Sequence, residues 1–362
     1  MKYSWPKFDW ILVLCASLLV LLGLTSIYSA TIGDESGEFV RQLQMAGVGT
    51  VVFLACSIID SSFWFRHATK LYLFMLLLLG SVLCFGDSVN GAQRWLTLGP
   101  LGKFQPSELA KLLLVLAMAR FMAGELDGQY GQKAPLFSKF LAALVLIGIP
   151  MILVLRQPDL GTAITTAVVG LVIVAVGNVP MWWSTVSVAL GASVIPFILH
   201  DYQKQRILTF MNPEADIAGS GWNIIQAKIA IGAGGIWGKG LFMGTQNRLK
   251  FVPEHDTDFI FTVIGEEMGL IGCLCIILLL ALLVARAFKV AKASNSLYAS
   301  LVATGIGIFW ASHAIINIGM TTGVLPVVGS PLPFVSFGGT ALVTNCAALG
   351  ILNYLSSQLE RG

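Results

Sequence analysis

The stretch from 251 to 272, FVPEHDTDFIFTVIGEEMGLIG, places a group of acidic side chains directly before a long apolar run. Glu254, Asp256 and Asp258 lie within five consecutive positions, and carboxylates this close repel one another unless their charge is compensated. A cation, a metal ion or the counter-charge of a bound polyanion would compensate it, and a solvated loop end is the simpler alternative. Because ionisable groups at a membrane boundary are functional hypotheses by default, this stretch is the first candidate site.

Two further pairs of charged residues lie at the ends of apolar runs. Glu108 and Lys111 follow the sequence FQPS, and a spacing of three places them on one helical face, where they form an ion pair. Such a pair inside a membrane helix should face the interior of the bundle, and a purely structural clamp is an equal alternative to a functional one. Arg156 and Asp159 bracket a Pro-containing turn, LRQPDLGTA, and present a cation and a carboxylate at the same membrane level.

The composition is that of a polytopic membrane protein. Of the 362 residues, 56% are hydrophobic and 11% are charged, whereas soluble domains carry about 25% charged residues. The mean hydropathy is +0.81. A net charge of +3 without a basic run gives no support to nucleic-acid binding. The six cysteines all lie in apolar runs, which argues against a disulfide framework or a zinc site.

The spacing of apolar runs predicts an all-α fold. A spanning helix needs about 20 mostly apolar residues, and about ten such segments are present. They lie near 9–30, 43–60, 70–86, 105–123, 137–155, 161–178, 182–200, 259–286, 298–320 and 336–356. We therefore predict a single integral membrane domain over 1–362, with about ten transmembrane helices and one long extracytoplasmic loop at 201–258.

Basic residues predict the orientation of the helices. With the N-terminus inside, the inner segments hold Lys2, Lys7, Arg66, Lys70, Arg120, Lys133, Lys139, Arg286, Lys289, Lys292 and Arg361. The short outer loops hold only Arg41, Arg94, Lys103 and Arg156. This excess predicts that both termini are cytoplasmic.

The long loop contains a glycine-rich run, Gly232 to Gly240, that invites comparison with a nucleotide-binding loop. It fails that comparison, because Ala233 and Gly240 stand where a P-loop needs Gly and Ser/Thr, and no strand precedes the run. We interpret the run as flexible backbone at the membrane surface, whose N–H groups are able to cradle phosphate. The segment from 222 to 231 is predicted to form an amphipathic helix.

Five motifs in order support a resemblance to a known family. They are FQPSELAK, RQPDLGTA, FMNPEADIAGSGWNIIQAKIAIGAGGIWGKG, FVPEHDTDFIFTVIGEEMGLIG and GVLPVVGSPLPFVSFGGT. Together they resemble the SEDS family (shape, elongation, division and sporulation), and the third is most similar to its elongation branch. The resemblance covers nearly the whole chain. Two departures from the family pattern are the order His255-Asp256 before Thr257, and SFGGT where the family usually has SYGGS.

The resemblance implies a ten-helix peptidoglycan glycosyltransferase. Such an enzyme polymerises lipid II on the outer face of the cytoplasmic membrane, together with a class B penicillin-binding protein. The family's catalytic aspartate, in the TDF triplet, corresponds to Asp258, which would act as general base. The acid and base of its QPSELxK motif correspond to Glu108 and Lys111, and its QPDLGT aspartate to Asp159.

The chemistry of that reaction assigns roles to further residues. Transfer to a sugar hydroxyl needs a proton acceptor, and cations must stabilise the departing diphosphate. The candidate cations are Lys111, Arg156, Lys239 and Arg248, and the sequence does not choose among them. A divalent cation, Mg or Mn, held by Asp159 or Asp256, is a further candidate. Trp95 suits stacking on a sugar or anchoring at the interface.

Alternatives to an elongation-type polymerase remain at this point. A lipid II flippase would line a path across the bilayer with charges and helix breaks, whereas the acids here cluster at one membrane level. A scaffold that only anchors a partner leaves the acidic stretch unexplained, and a division-type member of the family would have the same motifs. His313, with no acid near it in sequence, is predicted to be an interhelical hydrogen-bonding residue.

Overall fold

The computed structural model describes residues 8–32, 37–89, 92–97, 99, 102–124, 135–198, 201–216, 220–249 and 251–359. Within these ranges the chain forms thirteen α-helices, numbered here in chain order. They are α1 Trp10–Ala30, α2 Glu38–Ile58, α3 Ser61–Phe85, α4 Pro106–Ala123, α5 Leu136–Arg156, α6 Leu160–Val176, α7 Met181–Ile198, α8 Asp201–Met211, α9 Ser220–Gly234, α10 Thr245–Arg248, α11 Ile260–Ala293, α12 Leu297–Thr321 and α13 Gly339–Leu359.

The apolar segments predicted from the sequence coincide with helices α1 to α7 and α11 to α13. Six helices of the described chain, namely α1, α2, α3, α5, α11 and α12, are long and apolar enough to cross a membrane. The protein is therefore a helical, multi-pass membrane protein. The segment predicted as a long loop contains α8, α9 and α10, and the amphipathic helix predicted at 222–231 lies within α9.

Helix starts follow the local sequence. Asp9, Asp60 and Asp159 precede α1, α3 and α6, and the carboxylate of each accepts a hydrogen bond from a backbone N–H in the first turn. These caps satisfy donors that the helix itself leaves without partners. Pro106 occupies the first turn of α4, where its missing N–H costs nothing.

A small antiparallel sheet, which the sequence did not predict, lies between α3 and α4. Its strands are β1 Asp87–Val89, β2 Ala92–Thr97 and β3 Lys103–Phe104, in the order β1-β2-β3. Strands this short carry too few residues for an alternating pattern to stand out in the sequence. The middle strand carries Arg94 and Trp95, so the sheet positions two residues of the connection between α3 and α4.

The two most buried helices, α4 and α12, form the centre of the bundle. α4 packs against α3, α6 and α12, and α12 also packs along α11. Phe309 and Trp310 of α12 are fully buried. Large apolar side chains on α1, α3 and α5, such as Leu14, Leu77 and Ile152, are exposed, as expected for surfaces that face lipid. Helices that are buried on nearly all sides, as α4 and α12 are, are expected at the centre of a bundle.

Helix α11 is broken at Gly269. The φ and ψ angles of this residue are 64° and −160°, a conformation that is essentially restricted to glycine. The break leaves backbone groups on both sides of Gly269 without partners inside the helix. The glycine-rich segment after α9 supplies those partners. The four hydrogen bonds join Lys239 N to Glu266 O, Gly240 N to Glu267 O, Leu270 N to Gly235 O and Ile271 N to Ile236 O, at 2.9, 3.0, 2.9 and 3.3 Å.

This pairing corrects the interpretation of the glycine-rich run. A Cβ atom on Gly234 would lie 1.9 Å from the carbonyl oxygen of Gly265, and one on Gly238 would lie 2.1 Å from that of Glu267. The glycines therefore allow two backbones to approach closely. The N–H groups of Lys239 and Gly240 donate to α11, so the run is not a flexible phosphate cradle.

Gly269→Ala should destabilise the protein far more than Gly80→Ala. The backbone strain alone costs about 1–3 kcal/mol, and the new Cβ would lie 2.4 Å from the nitrogen of Gly238. Gly80 is a matched control, because it lies in α3 and a Cβ there meets nothing within 4 Å. Thermal unfolding of the purified variants in detergent measures the difference, and equal midpoints would show that the break tolerates a side chain.

Candidate active site

Asp258 lies in the irregular turn that precedes α11, and its side chain is partly exposed. Burial, together with the charges of Glu254 and Asp159, raises the pKa of Asp258 to about 7, against the opposing effect of Arg206 and Arg94. A carboxyl group that titrates near neutral pH is suited to accept a proton and to pass it on. Perturbed carboxyl groups of this kind cluster at functional sites.

The two guanidinium groups whose charges act on Asp258 border one pocket. Arg94 and Arg206 line this pocket together with Pro158 and Val327. Arg94 donates from Nε to the carbonyl of Gln157 at 3.2 Å and from Nη2 to that of Pro158. Arg206 donates to the carbonyl of Val327 at 3.3 Å. Backbone carbonyls thus hold both cations at the pocket.

A buried polar cluster lies deeper in the bundle. The Nζ atom of Lys111 is 2.7 Å from Oε1 of Glu108, and their side chains are 0% and 2% exposed. Lys111 also lies 2.8 Å from Nε2 of His313. A lysine ammonium group only donates, so Nε2 of this histidine accepts, and Nδ1 donates to the carbonyl of Pro331 at 3.1 Å. The cluster therefore connects α4 and α12 to the segment that follows α12.

Asp159 is buried and serves its own helix. One carboxylate oxygen accepts from the backbone N–H of Thr162, and the other accepts from the hydroxyl of Thr162 and from Nε2 of Gln105. Among the described residues, no group of three His, Cys, Asp or Glu side chains could hold a metal ion. The divalent cation expected at Asp159 or Asp256 stays an expectation, and we derive no step through a metal.

Comparisons with known proteins identify the family. A family model for cell cycle proteins, FtsW, RodA and SpoVE, matches residues 9–361. The chain belongs to this family, the SEDS family. It is 40% identical over 344 residues to the peptidoglycan glycosyltransferase MrdB of Escherichia coli K12, and the match covers 92% of this chain and 91% of that protein.

Two solved structures of SEDS type share the fold. A chain of a peptidoglycan synthase complex, described for its coordination of polymerization and crosslinking, has a TM-score of 0.82 and 30% identity, with 99% of this chain and 100% of that chain covered. The rod shape determining protein RodA of Thermus thermophilus has a TM-score of 0.73 and 28% identity, with 98% of each chain covered.

The two cations whose charges act on Asp258, namely Arg94 and Arg206, are not among the four candidate cations named from the sequence. Lys111 is engaged with Glu108, and Lys239 lies 2.7 Å from Oε1 of Glu266. Arg156 is exposed at the end of α5. The side chain of Arg248, the last residue of α10, lies outside the described part of the structure. Trp95 is half-buried on β2 beside Arg94.

Two buried glutamates in the first part of α11, Glu266 and Glu267, accept hydrogen bonds from other segments of the chain. Oε1 of Glu266 accepts hydrogen bonds from the backbone N–H groups of Thr245 and Gln246, at 2.7 and 2.9 Å, as well as from Lys239. Glu267 accepts from the hydroxyl of Ser29. Both glutamates are buried, so their hydrogen bonds compensate the desolvation of their charges.

Arg206 was not singled out from the sequence, because the segment around it was predicted to be a loop. It lies on α8, where Gln203 stands three residues earlier on the same helical face, and both border the pocket. Three-residue spacing of polar side chains on a helix is a signal that the sequence does contain. Arg94 was noted only as an outer basic residue, since nothing in the sequence shows that it approaches Asp258.

Lys111→Met should destabilise the protein strongly. The substitution leaves the buried carboxylate of Glu108 without its cation, and breaking a buried pair in this way costs about 3–5 kcal/mol. Lys70→Met is the control, because Lys70 is exposed on α3. Thermal unfolding and the yield of monodisperse protein provide the measurement. Equal stability of the two variants would mean that the 108–111 pair contributes nothing to the fold.

Proposed function

We propose that this chain is a peptidoglycan glycosyltransferase that joins lipid II units into glycan strands on the outer face of the cytoplasmic membrane. The relative named for this activity supports the reaction class, since its 40% identity extends over most of both chains. The observation that carries the mechanism is a carboxyl group with a pKa of about 7, on which two guanidinium groups of one pocket, Arg94 and Arg206, act through their charge. The similarity to rod shape determining RodA supports a role in cell elongation and cell-shape maintenance.

The site residues take complementary parts in this reaction. The 4-hydroxyl oxygen of one sugar bonds to the anomeric carbon of another, while the bond from that carbon to the diphosphate breaks and undecaprenyl pyrophosphate leaves. Asp258 accepts the hydroxyl proton, a contribution typically worth about 10²–10⁴-fold in rate. Arg94 and Arg206 stabilise the negative charge of the leaving diphosphate, because guanidinium groups match the geometry of phosphate oxygens.

The buried cluster has a supporting part. Hydrogen bonds link Lys111 to Glu108 and to His313, and His313 to the carbonyl of Pro331. Gly329, two residues before Pro331, lies against Asp258. The cluster therefore shapes the wall opposite the base. Asp159 acts on Asp258 through its charge, and Trp95 stays a candidate for contact with a sugar.

The proposal includes a partner. One solved relative belongs to a complex that coordinates polymerization with crosslinking, and a class B penicillin-binding protein would supply the crosslinking activity here. Its transmembrane helix would bind this chain within the membrane. Co-purification from cells that express both proteins tests the association directly, and recovery of this chain alone at matched expression would argue against it.

The proposed topology has ten spans in one domain over 1–362, with both termini cytoplasmic and 201–258 outside. In a cysteine-free background, Gln205→Cys and Asn295→Cys should therefore react with an impermeant maleimide from opposite sides of the inner membrane. Both positions are exposed, so accessibility does not bias the comparison. Labelling of Gln205→Cys from the cytoplasmic side would place Asp258 on the wrong face for lipid II polymerisation.

Asp258→Asn should reduce glycan polymerisation by about 10²–10⁴-fold, because asparagine keeps the size of the side chain but cannot accept the proton. Polymer formation from purified lipid II by the reconstituted protein provides the measurement. Binding of lipid II should persist. Asp60→Asn is the control, since Asp60 caps α3 and asparagine caps a helix about as well.

The dependence on pH provides a second test of the same residue. Only the ionised carboxylate accepts a proton, so activity should fall about tenfold per pH unit below the pKa of about 7 and level off above it.

Polymerisation by Asp258→Asn at the rate of Asp60→Asn would remove Asp258 from catalysis. If the unsubstituted protein made no polymer but moved lipid II across vesicle membranes, and Asp258→Asn lost that transport, the flippase would be favoured instead.

A further inference from the structure

Three consecutive backbone carbonyls of the turn that carries Asp258 accept hydrogen bonds from the other side of the site. Phe337 N donates to the carbonyl of Asp256 at 2.9 Å, and the hydroxyl of Ser336 donates to that of Thr257 at 2.7 Å. The third bond runs from Nδ2 of Asn317 on α12 to the carbonyl of Asp258, also at 2.9 Å. The turn is thus fixed from outside.

Asn317 differs from the other two donors because its amide group bridges two segments. Its Nδ2 atom also donates to the carbonyl of Ser330, at 2.7 Å, so both amide protons are used on backbone oxygens. The side chain is fully buried. A Cβ on the neighbouring Gly329 would lie 3.1 Å from Oδ2 of Asp258. One amide therefore sets the distance between the peptide of Asp258 and the wall that its carboxyl group touches.

The turn itself does little to fix Asp258. The backbone N–H groups of Thr257 and Phe259 both donate to the carbonyl of Glu254, which leaves the carbonyls of the three residues before Phe259 to external donors. Asn317 does this at a cost, because its Oδ1 atom is buried and has no partner among the described residues. Buried polar atoms without partners are rare in native proteins and call for an explanation.

We propose that Asn317 is a positioning residue for glycan polymerisation, which fixes the peptide of Asp258 relative to Ser330 so that the carboxyl group meets the acceptor hydroxyl. The inference rests on the proposed function of Asp258. Asn317 does not touch the substrate. It acts through the base, and a displacement of about 1 Å at a reacting group costs on the order of 10²-fold in rate.

Asn317→Leu tests the proposal, because leucine has the same branched arrangement of side-chain heavy atoms and donates no hydrogen bond. The kcat for polymerisation should fall by about 10²-fold, while the KM for lipid II changes by less than about threefold. Asn345→Leu is the matched control. Asn345 is also buried on a core helix, but it hydrogen-bonds Trp310 and the carbonyl of Ala341. Its kcat per folded molecule should stay within about threefold of the unsubstituted protein.

A second variant keeps the test decisive if leucine prevents folding. Asn317→Ser removes the bridge but leaves room for water, so it should fold and still lose kcat. If either Asn317→Ser or Asn317→Leu has the same kcat per folded molecule as the control Asn345→Leu, the proposal is overturned and Asn317 is a structural residue. Asp258→Asn is measured in parallel. If that variant is active, the proposed base is wrong, whereas an inactive Asp258→Asn with an active Asn317 variant sinks only the positioning role.

Discussion

Backbone that leaves helical form near a lipid bilayer must find hydrogen-bond partners within the protein, because hydrocarbon supplies none. This constraint recurs wherever the chain is irregular. The break in α11 at Gly269 is satisfied by the segment from 235 to 240. The turn before α11 is satisfied from α12 and from the segment that follows it. In each place, a segment with a recognisable sequence motif supplies hydrogen-bond partners for backbone groups that are not paired within a helix.

The same constraint aims the charges of the site. Arg94 donates to the carbonyls of the turn between α5 and α6, and Arg206 donates to a carbonyl after α12. Each guanidinium group has five N–H donors, so an arginine can satisfy backbone oxygens and still present charge to a ligand. Satisfying the backbone and placing the cations are therefore one structural solution, and the pocket beside Asp258 is its result.

The sequence predicted the helices well because each long apolar run has only one way to satisfy its backbone in a membrane. It also predicted the contact between Glu108 and Lys111, since three-residue spacing within one helix fixes their relative positions. It could not predict which cations approach Asp258. That depends on how β2, α8 and the turn before α11 converge, and residues more than fifty positions apart carry no local signal of their proximity.

The glycine-rich segment shows the same limit from the other side. Its composition was visible, but the partner that requires it, the break at Gly269, lies some thirty residues later and looks like an ordinary glycine in an apolar run. The small sheet was missed because its strands are short. In both cases the decisive fact is a pairing between distant backbones, which propensity and periodicity do not encode.

The break in α11 also sets an order of assembly during synthesis. The ribosome completes the segment from 235 to 240 before residues 266 to 271 exist, so its backbone groups must stay hydrated until α11 has been made and inserted. The four hydrogen bonds can form only after that. The segment between α8 and α11 thus reaches its final structure only after the helix that follows it has been made.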